Sequence, residues 1–268
     1  MTEKFIAIIC GLKSEAQAVS AVLDASKIRV GVSGANAERA ENIAREFCED
    51  GAMAVISIGV SGGLDPALKP GDLIIGDEII GDDGAVYESD RYLLKSITTS
   101  FVTLSSLHPE ESPGRDSATW RLVRKDGLVT KDEGKRAPQD EVITGPLFGS
   151  DDIIESAGKK AALFQNHGCL AVDMESHGAA RAAANAGVSF LAIRAVADPA
   201  DRALPPAALG AIAPDGSTRM LATLGAAMRD PKQFPALLKL GADSGAALKT
   251  LRRSLGPLFS GLFLSLDL

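Results

Sequence analysis

Short apolar runs that end at glycine or polar residues recur along the chain. Such runs predict buried β-strands, because a strand covered on both faces is apolar at consecutive positions. The runs are residues 5–10, 28–32, 53–58, 73–80, 141–144, 170–172 and 189–196. Most of them are followed by a segment in which apolar residues recur at helical spacing, so strands and helices are expected to alternate.

The intervening segments predict helices over residues 15–24, 36–49, 153–166 and 175–186, the first of them capped by Ser14. Alternating strands and helices of this length are typical of an α/β domain, in which a mostly parallel sheet has helices on its faces. The chain is interpreted as one domain over residues 1–268.

Two stretches depart from this alternation. Residues 81–139 are rich in Gly, Asp, Ser, Lys and Pro and have weak periodicity, which predicts a loop-rich insertion with some strand or helix that covers a site. Residues 205–268 are rich in Ala and Leu with breaks at Pro and Gly, and predict a helical C-terminal part.

Composition narrows the class of protein. The chain has 268 residues, of which 46% are hydrophobic, and a net charge of −7. A nucleic-acid partner is not expected, because such binders need clustered Lys and Arg, and only 4% of residues are aromatic, too few for base-stacking platforms.

The three cysteines, Cys10, Cys48 and Cys169, form no CxxC pair and no disulfide framework. Reduced thiols, an N-terminus without a signal-peptide pattern and the absence of a run of about 20 apolar residues lead us to expect a cytoplasmic protein.

Three polar features directly follow apolar strands: the glycine-rich residues 59–63, the pair Asp173 and Glu175, and Asp198. Ligands of open α/β sheets bind beyond the carboxyl ends of the strands, so these features predict a site. Each also has a structural interpretation: a plain tight turn for 59–63, charges at a helix N-terminus for Asp173 and Glu175, and a turn before Pro199 for Asp198.

Three motifs together resemble one family. Residues 58–64 (IGVSGGL) with 69–78 (KPGDLIIGDE) resemble the glycine-rich segment of purine nucleoside phosphorylases and methylthioadenosine/S-adenosylhomocysteine nucleosidases. Residues 171–175 (AVDME) resemble their V-E-M-E motif, and residues 193–198 (IRAVAD) their V-R-A-I-S-D motif. The resemblance covers about residues 4–80 and 141–230 and implies a three-layer α/β/α fold with a central mixed, mostly parallel twisted sheet.

Within that family the chain looks most like the hopanoid-associated phosphorylases. Residues 11–16 (GLKSEA), 33–36 (SGAN) and the long tail after residues 197–201 (ADPAD) carry this finer resemblance. It implies release of adenine from adenosylhopane. The same chemistry on methylthioadenosine or S-adenosylhomocysteine is one alternative, and a nucleoside-binding protein without turnover is another.

The resemblance also assigns roles to residues. Asp198 would protonate the departing adenine at N7 and so belongs to both the catalytic and the base-binding set. Glu175 would bind the ribose hydroxyls, and Met174 would pack under the sugar. Phe148 would stack on the base, although a core aromatic is the alternative. Ala197 replaces the family's usual Ser beside the acid.

The acceptor of the ribosyl group stays open between water and phosphate. Hydrolytic members activate water with a glutamate in the first strand–helix loop, near the position of Glu15. Phosphorolytic members place arginines against phosphate, and none is found at Ser57 or in residues 11–16. The candidate phosphate or water site comprises Lys13, Ser33, Gly59, Val60 and Ser61.

The remaining expectations are negative or concern assembly. No cofactor is implied, with phosphate as the candidate co-substrate. No metal-ligand cluster is predicted, and His177 is interpreted as a surface or interface histidine. The family resemblance implies a homo-oligomer. The apolar residues 256–268 follow two arginines. This indicates either a helix packed on the domain or at a subunit interface, or peripheral contact with the inner membrane surface.

Overall fold

The computed structural model describes residues 4–107, 121–124, 141–219 and 228–266. Within these ranges nine strands form one mixed sheet, with six parallel and three antiparallel pairings. The strands are β1 (Ile6–Cys10), β2 (Ile28–Val32), β3 (Ala54–Gly63), β4 (Leu73–Gly81), β5 (Val86–Glu88), β6 (Arg121–Arg124), β7 (Glu141–Gly149), β8 (Ala171–Asp173) and β9 (Ser189–Asp198).

Helices cover both faces of the sheet. They are α1 (Lys13–Ser20), α2 (Ala37–Glu49), α3 (Arg91–Leu107), α4 (Ala157–His167), α5 (Ser176–Ala186) and α6 (Phe234–Ser265). Helices α1, α3 and α6 pack in one hydrophobic cluster, and α2 and α5 pack in a second cluster on the other face. The predicted α/β fold, with a mostly parallel mixed sheet between two helical layers, is confirmed.

Strand β1 shows why the apolar runs are continuous. Ile6 and Ile8 point into the cluster with α1 and α6, whereas Ala7 and Ile9 point into the cluster with α2 and α5. Successive side chains of a strand face opposite sides, so a strand between two helical layers needs apolar residues at every position. All five residues of β1 are buried.

The strand pairings form a closed circuit, which runs from β3 through β9, β4, β7 and β8 and returns to β3. Gly62 of β3 is paired with Val172 of β8 on one side and with Asp198 of β9 on the other. The ends of β8 and β9 are thereby brought to the same point of β3.

Several element boundaries differ from the sequence predictions. Residues 59–63 are the last part of β3 and not a turn, because they pair with both β8 and β9. Strand β7 continues to Gly149 instead of ending at Thr144. Helix α1 begins at Lys13 with Leu12 at the cap position, so Ser14 lies in the first turn and is not the cap.

The predicted insertion at 81–139 contains more regular structure than its composition indicated. Its described part holds β5, β6 and the 17-residue helix α3. Helix α3 begins beside Ser189, because the Ser189 hydroxyl donates to Asp90 Oδ2 at 2.7 Å. Ser189 and Asp198 are the opposite ends of β9, so α3 begins at the end of β9 remote from Asp198. Residues 108–120 and 125–140 lie outside the described residues.

The C-terminal part is helical from residue 231 onwards, where the 3-10 helix Pro231–Gln233 leads into α6. Residues 205–219 are irregular apart from the 3-10 helix Pro206–Ala208 and a β-bridge between Ile212 and Thr218. One side of α6 is fully buried against the sheet, through Leu251, Leu255, Leu258, Phe259 and Leu262. The apolar tail therefore packs on the domain. None of the described helices combines the length and the apolar character needed to cross a bilayer.

Candidate active site

Glu15 lies in the first turn of α1, directly after the Gly11–Leu12 loop that follows β1, and its carboxylate is buried. Its Oε2 accepts a hydrogen bond from the backbone N–H of Leu12 at 2.8 Å, and its Oε1 accepts one from the N–H of Val60 at 2.8 Å. A Cβ on Gly59 would lie 2.9 Å from the same carboxylate. The glycine therefore leaves room for Glu15 to reach the backbone of β3.

Glu175 approaches the same loop from the end of β8. A Cβ on Gly11 would lie only 2.3 Å from Glu175 Oε1, so a residue larger than glycine would displace the carboxyl. Glu175 is the residue that precedes α5, and it is 7% exposed. The two glutamates predicted for the sugar and for water therefore lie around the Gly11 loop.

A buried arginine underlies this arrangement. Arg194 of β9 places its Nη2 2.6 Å from Ser57 Oγ, 2.8 Å from Ser176 Oγ and 3.7 Å from Glu175 Oε2. Its Nε lies 3.1 Å from Asp173 Oδ2. Asp173 in turn accepts hydrogen bonds from the backbone N–H groups of Glu175 and Ser176, which fixes the backbone that presents Glu175.

Arg194 is thus close to several carboxyl groups, and the pKa values of these groups are shifted in different directions. Burial raises the pKa of Glu175, and the charge of Asp173 adds to this, so that it reaches about 8 despite Arg194. Burial also raises the pKa of Glu15, against the hydrogen bonds from Val60 and Leu12. For Asp173 burial acts in the same direction, but the charge and hydrogen bonds of Arg194 outweigh it and lower the pKa.

Asp198 stands at the end of β9, where the strand contains an irregularity. Ser61 pairs with Val196, but the next residue of β3, Gly62, pairs with Asp198, so Ala197 is an extra residue on β9. A bulge of this kind changes the side to which the following side chain points. A Cβ on Gly62 would lie 3.4 Å from Asp198 Oδ1, which places the carboxyl against the backbone of β3.

Lys160 of α4 is paired with Asp198. Its Nζ donates to Asp198 Oδ2, to the Pro199 carbonyl at 3.0 Å and to the Arg202 carbonyl at 3.1 Å. The Lys160 side chain is 1% exposed. Burial raises the pKa of the Asp198 carboxyl, and the positive charge of Lys160 offsets this only in part.

Of the other predicted site residues, Ser61 and Met174 have no side-chain hydrogen bond within the described residues, whereas Ser33 and Lys13 have one. Ser61 is buried, and its hydroxyl has no hydrogen-bond partner among the described residues. Met174 is half-buried between Asp173 and Glu175. By contrast, the Ser33 hydroxyl donates to the Cys10 carbonyl at 3.4 Å. Lys13 is half-exposed, and its Nζ lies 2.6 Å from Asp215.

Phe148 lies in a core cluster and is 5% exposed. It packs with Leu64, Cys169 and Val172, and its ring centroid lies 5.0 Å from that of His167. These contacts agree with the core-aromatic alternative. Stacking of Phe148 on a base stays a prediction.

Sequence reasoning missed the two buried cations, Lys160 and Arg194, as site residues. Lys160 follows Lys159 in a helix, and such a pair is typical of an exposed face. Arg194 stands within the apolar run of β9, and that position was the available signal, since a charged residue in a buried strand needs partners.

His177 differs from the surface or interface interpretation, because it is 1% exposed and packs on Gly149. Its Nε2 lies 3.2 Å from Asp151 Oδ1. Asp82 is close by, and the three residues offer ligand atoms within 4.8 Å of one another. This group lies outside the carboxyl site described above.

The sequence matches a known family over most of its length. The model of the phosphorylase superfamily matches residues 22–228. The chain therefore belongs to the phosphorylase superfamily.

Relatives and a solved structure agree with this assignment. The chain is 27% identical to the 5′-methylthioadenosine/S-adenosylhomocysteine nucleosidase of Mycobacterium bovis over 156 residues, which is 55% of this chain and 60% of that protein. It is 32% identical to the futalosine hydrolase of Streptomyces coelicolor over 146 residues, 54% of this chain and 53% of that protein. The chain thus spans 53–60% of the length of these curated relatives.

The fold is shared with the 5′-methylthioadenosine/S-adenosylhomocysteine nucleosidase of Neisseria meningitidis, solved in complex with methylthio-immucillin-A. The TM-score is 0.61 at 18% identity, and the similarity covers 95% of this chain and 99% of that one.

Proposed function

We propose that this protein hydrolyses the N-glycosidic bond of an adenosyl compound and releases adenine. Membership of the phosphorylase superfamily and the nucleosidase names of its relatives support cleavage of a nucleoside. The positions of Glu15, Glu175 and Asp198 support the division of roles between water, sugar and base. This chemistry uses side chains alone and requires no cofactor.

The observation that carries the choice of water is the position of the Glu15 carboxylate. It accepts hydrogen bonds from the N–H groups of Leu12 and Val60, which are the kind of backbone donors that hold phosphate at strand–helix loops. A carboxylate already bound there competes with phosphate for these donors and repels it. Lys13, the candidate cation for phosphate, is paired with Asp215 instead.

Strand β3 sets the distance between the two halves of the site. Glu15 lies against Gly59 and Asp198 against Gly62, and three residues of strand span about 10 Å. A nucleoside is of this order of length. We propose that the purine binds at the Asp198 end and the ribose at the end where Glu15 and Glu175 lie near the Gly11 loop.

The proposed reaction then follows. Asp198 donates a proton to N7 of adenine, the C1′–N9 bond breaks with its electron pair going to the base, and C1′ becomes oxocarbenium-like. Water adds to C1′ and gives its proton to Glu15. Glu175, whose pKa of about 8 leaves it largely protonated at neutral pH, donates one hydrogen bond to the ribose diol and accepts another.

Product analysis tests the choice of acceptor. With an adenosyl substrate we expect equal rates of adenine release with and without phosphate, and free sugar as the only second product. Glu15→Gln should slow release by about a hundredfold or more, since it removes a general base. Release that requires phosphate, with formation of a sugar 1-phosphate, would overturn hydrolysis.

For the substrate we propose adenosylhopane, supported by the resemblance of residues 11–16 and 33–36 to hopanoid-associated phosphorylases. The names of the relatives favour a second candidate, methylthioadenosine or S-adenosylhomocysteine. A panel of the three compounds, read by adenine release, separates them. A higher kcat/KM for methylthioadenosine than for adenosylhopane would select the second candidate. Binding of all three without release would instead indicate a carrier.

Delivery of an insoluble substrate is the argument for peripheral membrane contact. The apolar side of α6 is buried, so such contact would have to use exposed residues such as Met228 and Leu238, which are 71% and 73% exposed. Liposome flotation of the wild-type protein and of the Leu238→Asp variant tests this. If neither protein floats with the liposomes, the membrane proposal is wrong. A homo-oligomer likewise stays a prediction, which light scattering would test.

A further inference from the structure

We propose that Lys160 is the positioning residue that holds the Asp198 carboxyl for protonation of the purine and stabilises the carboxylate left by that transfer. This inference rests on the proposed function, in which Asp198 is the acid. It adds a residue from α4 to a site whose other acids lie at the ends of β8 and β9 and in the first turn of α1.

The first support is that the ammonium of Lys160 has no free donor. An ammonium group has three N–H donors, and Lys160 uses them on Asp198 Oδ2, on the Pro199 carbonyl and on the Arg202 carbonyl. A charge that is 1% exposed and fully hydrogen-bonded cannot move without leaving acceptors unpaired. Lys160 therefore fixes both the Asp198 side chain and the backbone that follows it.

The second support is the asymmetry that this contact creates within the carboxyl. Both carboxyl oxygens lie near Gly62, where a Cβ would be 3.4 Å from Oδ1 and 3.7 Å from Oδ2, but only Oδ2 is held by Lys160, and Oδ1 has no hydrogen-bond partner in the described part of the chain. The absence of a side chain at Gly62 leaves space beside Oδ1. Lys160 thus assigns one oxygen to the protein and leaves the other for the base.

The third support is the balance of charge in the proposed step. Before transfer the proton is on Asp198 and the purine is neutral. After transfer the proton is on N7, the electron pair of the C1′–N9 bond is on the leaving base, and Asp198 is negative. A buried carboxylate is costly without a partner, and the ammonium of Lys160 supplies one. Removing Lys160 therefore makes Asp198 a weaker acid.

Two other charged groups, Arg202 and Asp243, influence the pKa of Asp198. Arg202, in the loop after β9, contributes positive charge, and Asp243 of α6 contributes negative charge. Arg202 and Asp243 form an ion pair with each other. Arg202 and Asp243 act on the pKa of Asp198 in opposite directions, and among the neighbouring charges Lys160 has the largest effect on it.

The test is the pH dependence of adenine release by Lys160→Gln, which removes the charge but keeps amide donors. We expect kcat at pH 7 to fall by about tenfold or more. Loss of the cation raises the pKa of Asp198, so the acid stays protonated to higher pH in the variant. The ratio of variant to wild-type kcat/KM should therefore rise with pH, and the ratio cancels groups such as Glu175 that titrate in both proteins.

Two further variants complete the design. Lys160→Arg keeps the charge and should give a ratio that does not change with pH. Lys159→Met, at the exposed neighbouring position, is the matched control and should behave as wild type. If circular dichroism shows that Lys160→Gln does not fold, Lys160→Met, which has an apolar side chain of similar length, carries the same expectation. Failure of both uncharged variants to fold would show a structural role and overturn the proposal.

The outcomes separate this inference from the function on which it rests. No adenine release by the wild-type protein from any compound of the panel would overturn the proposed function. An active wild type with a ratio independent of pH for Lys160→Gln would leave that function standing and overturn the role of Lys160.

Discussion

Arg194 and Asp173 form an ion pair in which both side chains are only 1% exposed, with Nε 3.1 Å from Oδ2. The pair joins β9 to the end of β8, directly beneath Glu175. Ser57, Ser176 and the Ile193 carbonyl also accept hydrogen bonds from the guanidinium. The same arginine therefore stabilises the fold and orients a residue of the candidate site.

Asp173→Asn should lower the free energy of unfolding by about 3 kcal/mol, because removal of one charge leaves a buried arginine without its partner. Urea denaturation measures the change. Asp50→Asn is the matched control, since the Arg29–Asp50 pair is exposed, with side-chain exposures of 41% and 61%. That control should lose less than about 1 kcal/mol. Equal losses in the two variants would contradict the buried pair's importance.

Glu175→Gln should change how stability depends on pH. The pKa of Glu175 is about 8 in the folded protein, above its ordinary value of 4.5, so the folded state keeps a proton that the unfolded state releases between these values. Wild-type stability therefore falls as the pH rises through this window, by at most about 1.4 kcal/mol per pH unit from this group.

The variant lacks this proton, so its free energy of unfolding should increase relative to wild type between pH 5 and pH 8. Urea unfolding across that range is the measurement, and Glu49→Gln, at an exposed position of α2, controls for the substitution itself. A constant difference between Glu175→Gln and wild type would mean that Glu175 is ionised throughout.

Asp198→Asn should slow adenine release by about two orders of magnitude or more, which is the usual scale for a lost general acid. Binding should be affected less than turnover, because the amide keeps an oxygen for the hydrogen bond from Lys160. Steady-state kinetics give kcat and KM separately. Wild-type kcat in this variant would exclude Asp198 as the acid.

Lys13→Gln should leave adenine release within about threefold of wild type. The Lys13 side chain is 51% exposed and is engaged by Asp215, and an exposed pair of this kind contributes little to stability. Rates measured at several phosphate concentrations decide the matter. A large loss of activity that depends on phosphate would restore Lys13 to a phosphate site.

The fold was largely predictable from the sequence, because strands buried on both faces leave continuous apolar runs such as residues 189–196. The secondary structure of residues 59–63 was harder to predict. Five residues rich in glycine indicate a turn, and their pairing with β8 and β9 depends on contacts made more than 100 residues later. Long-range pairing of this kind leaves no local signal.

The acidic residues of the candidate site could be predicted from sequence motifs, whereas its buried cations could not. Glu15, Glu175 and Asp198 follow strands and were named from the sequence. Lys160 was not, because a lysine in a helix is ordinarily solvated, and its partners Asp198, Pro199 and Arg202 lie about 40 residues later in the chain.

The extra residue at Ala197 has a consequence for how this protein tolerates change. The number of residues at this point of β9 matters more than the identity of the side chain. Serine or glycine at position 197 would keep that number and leave Asp198 on the same side of the sheet. Deletion of one residue would turn the side chain of Asp198 to the other side. Insertions and deletions between Val196 and Asp198 should therefore be far more harmful than exchanges.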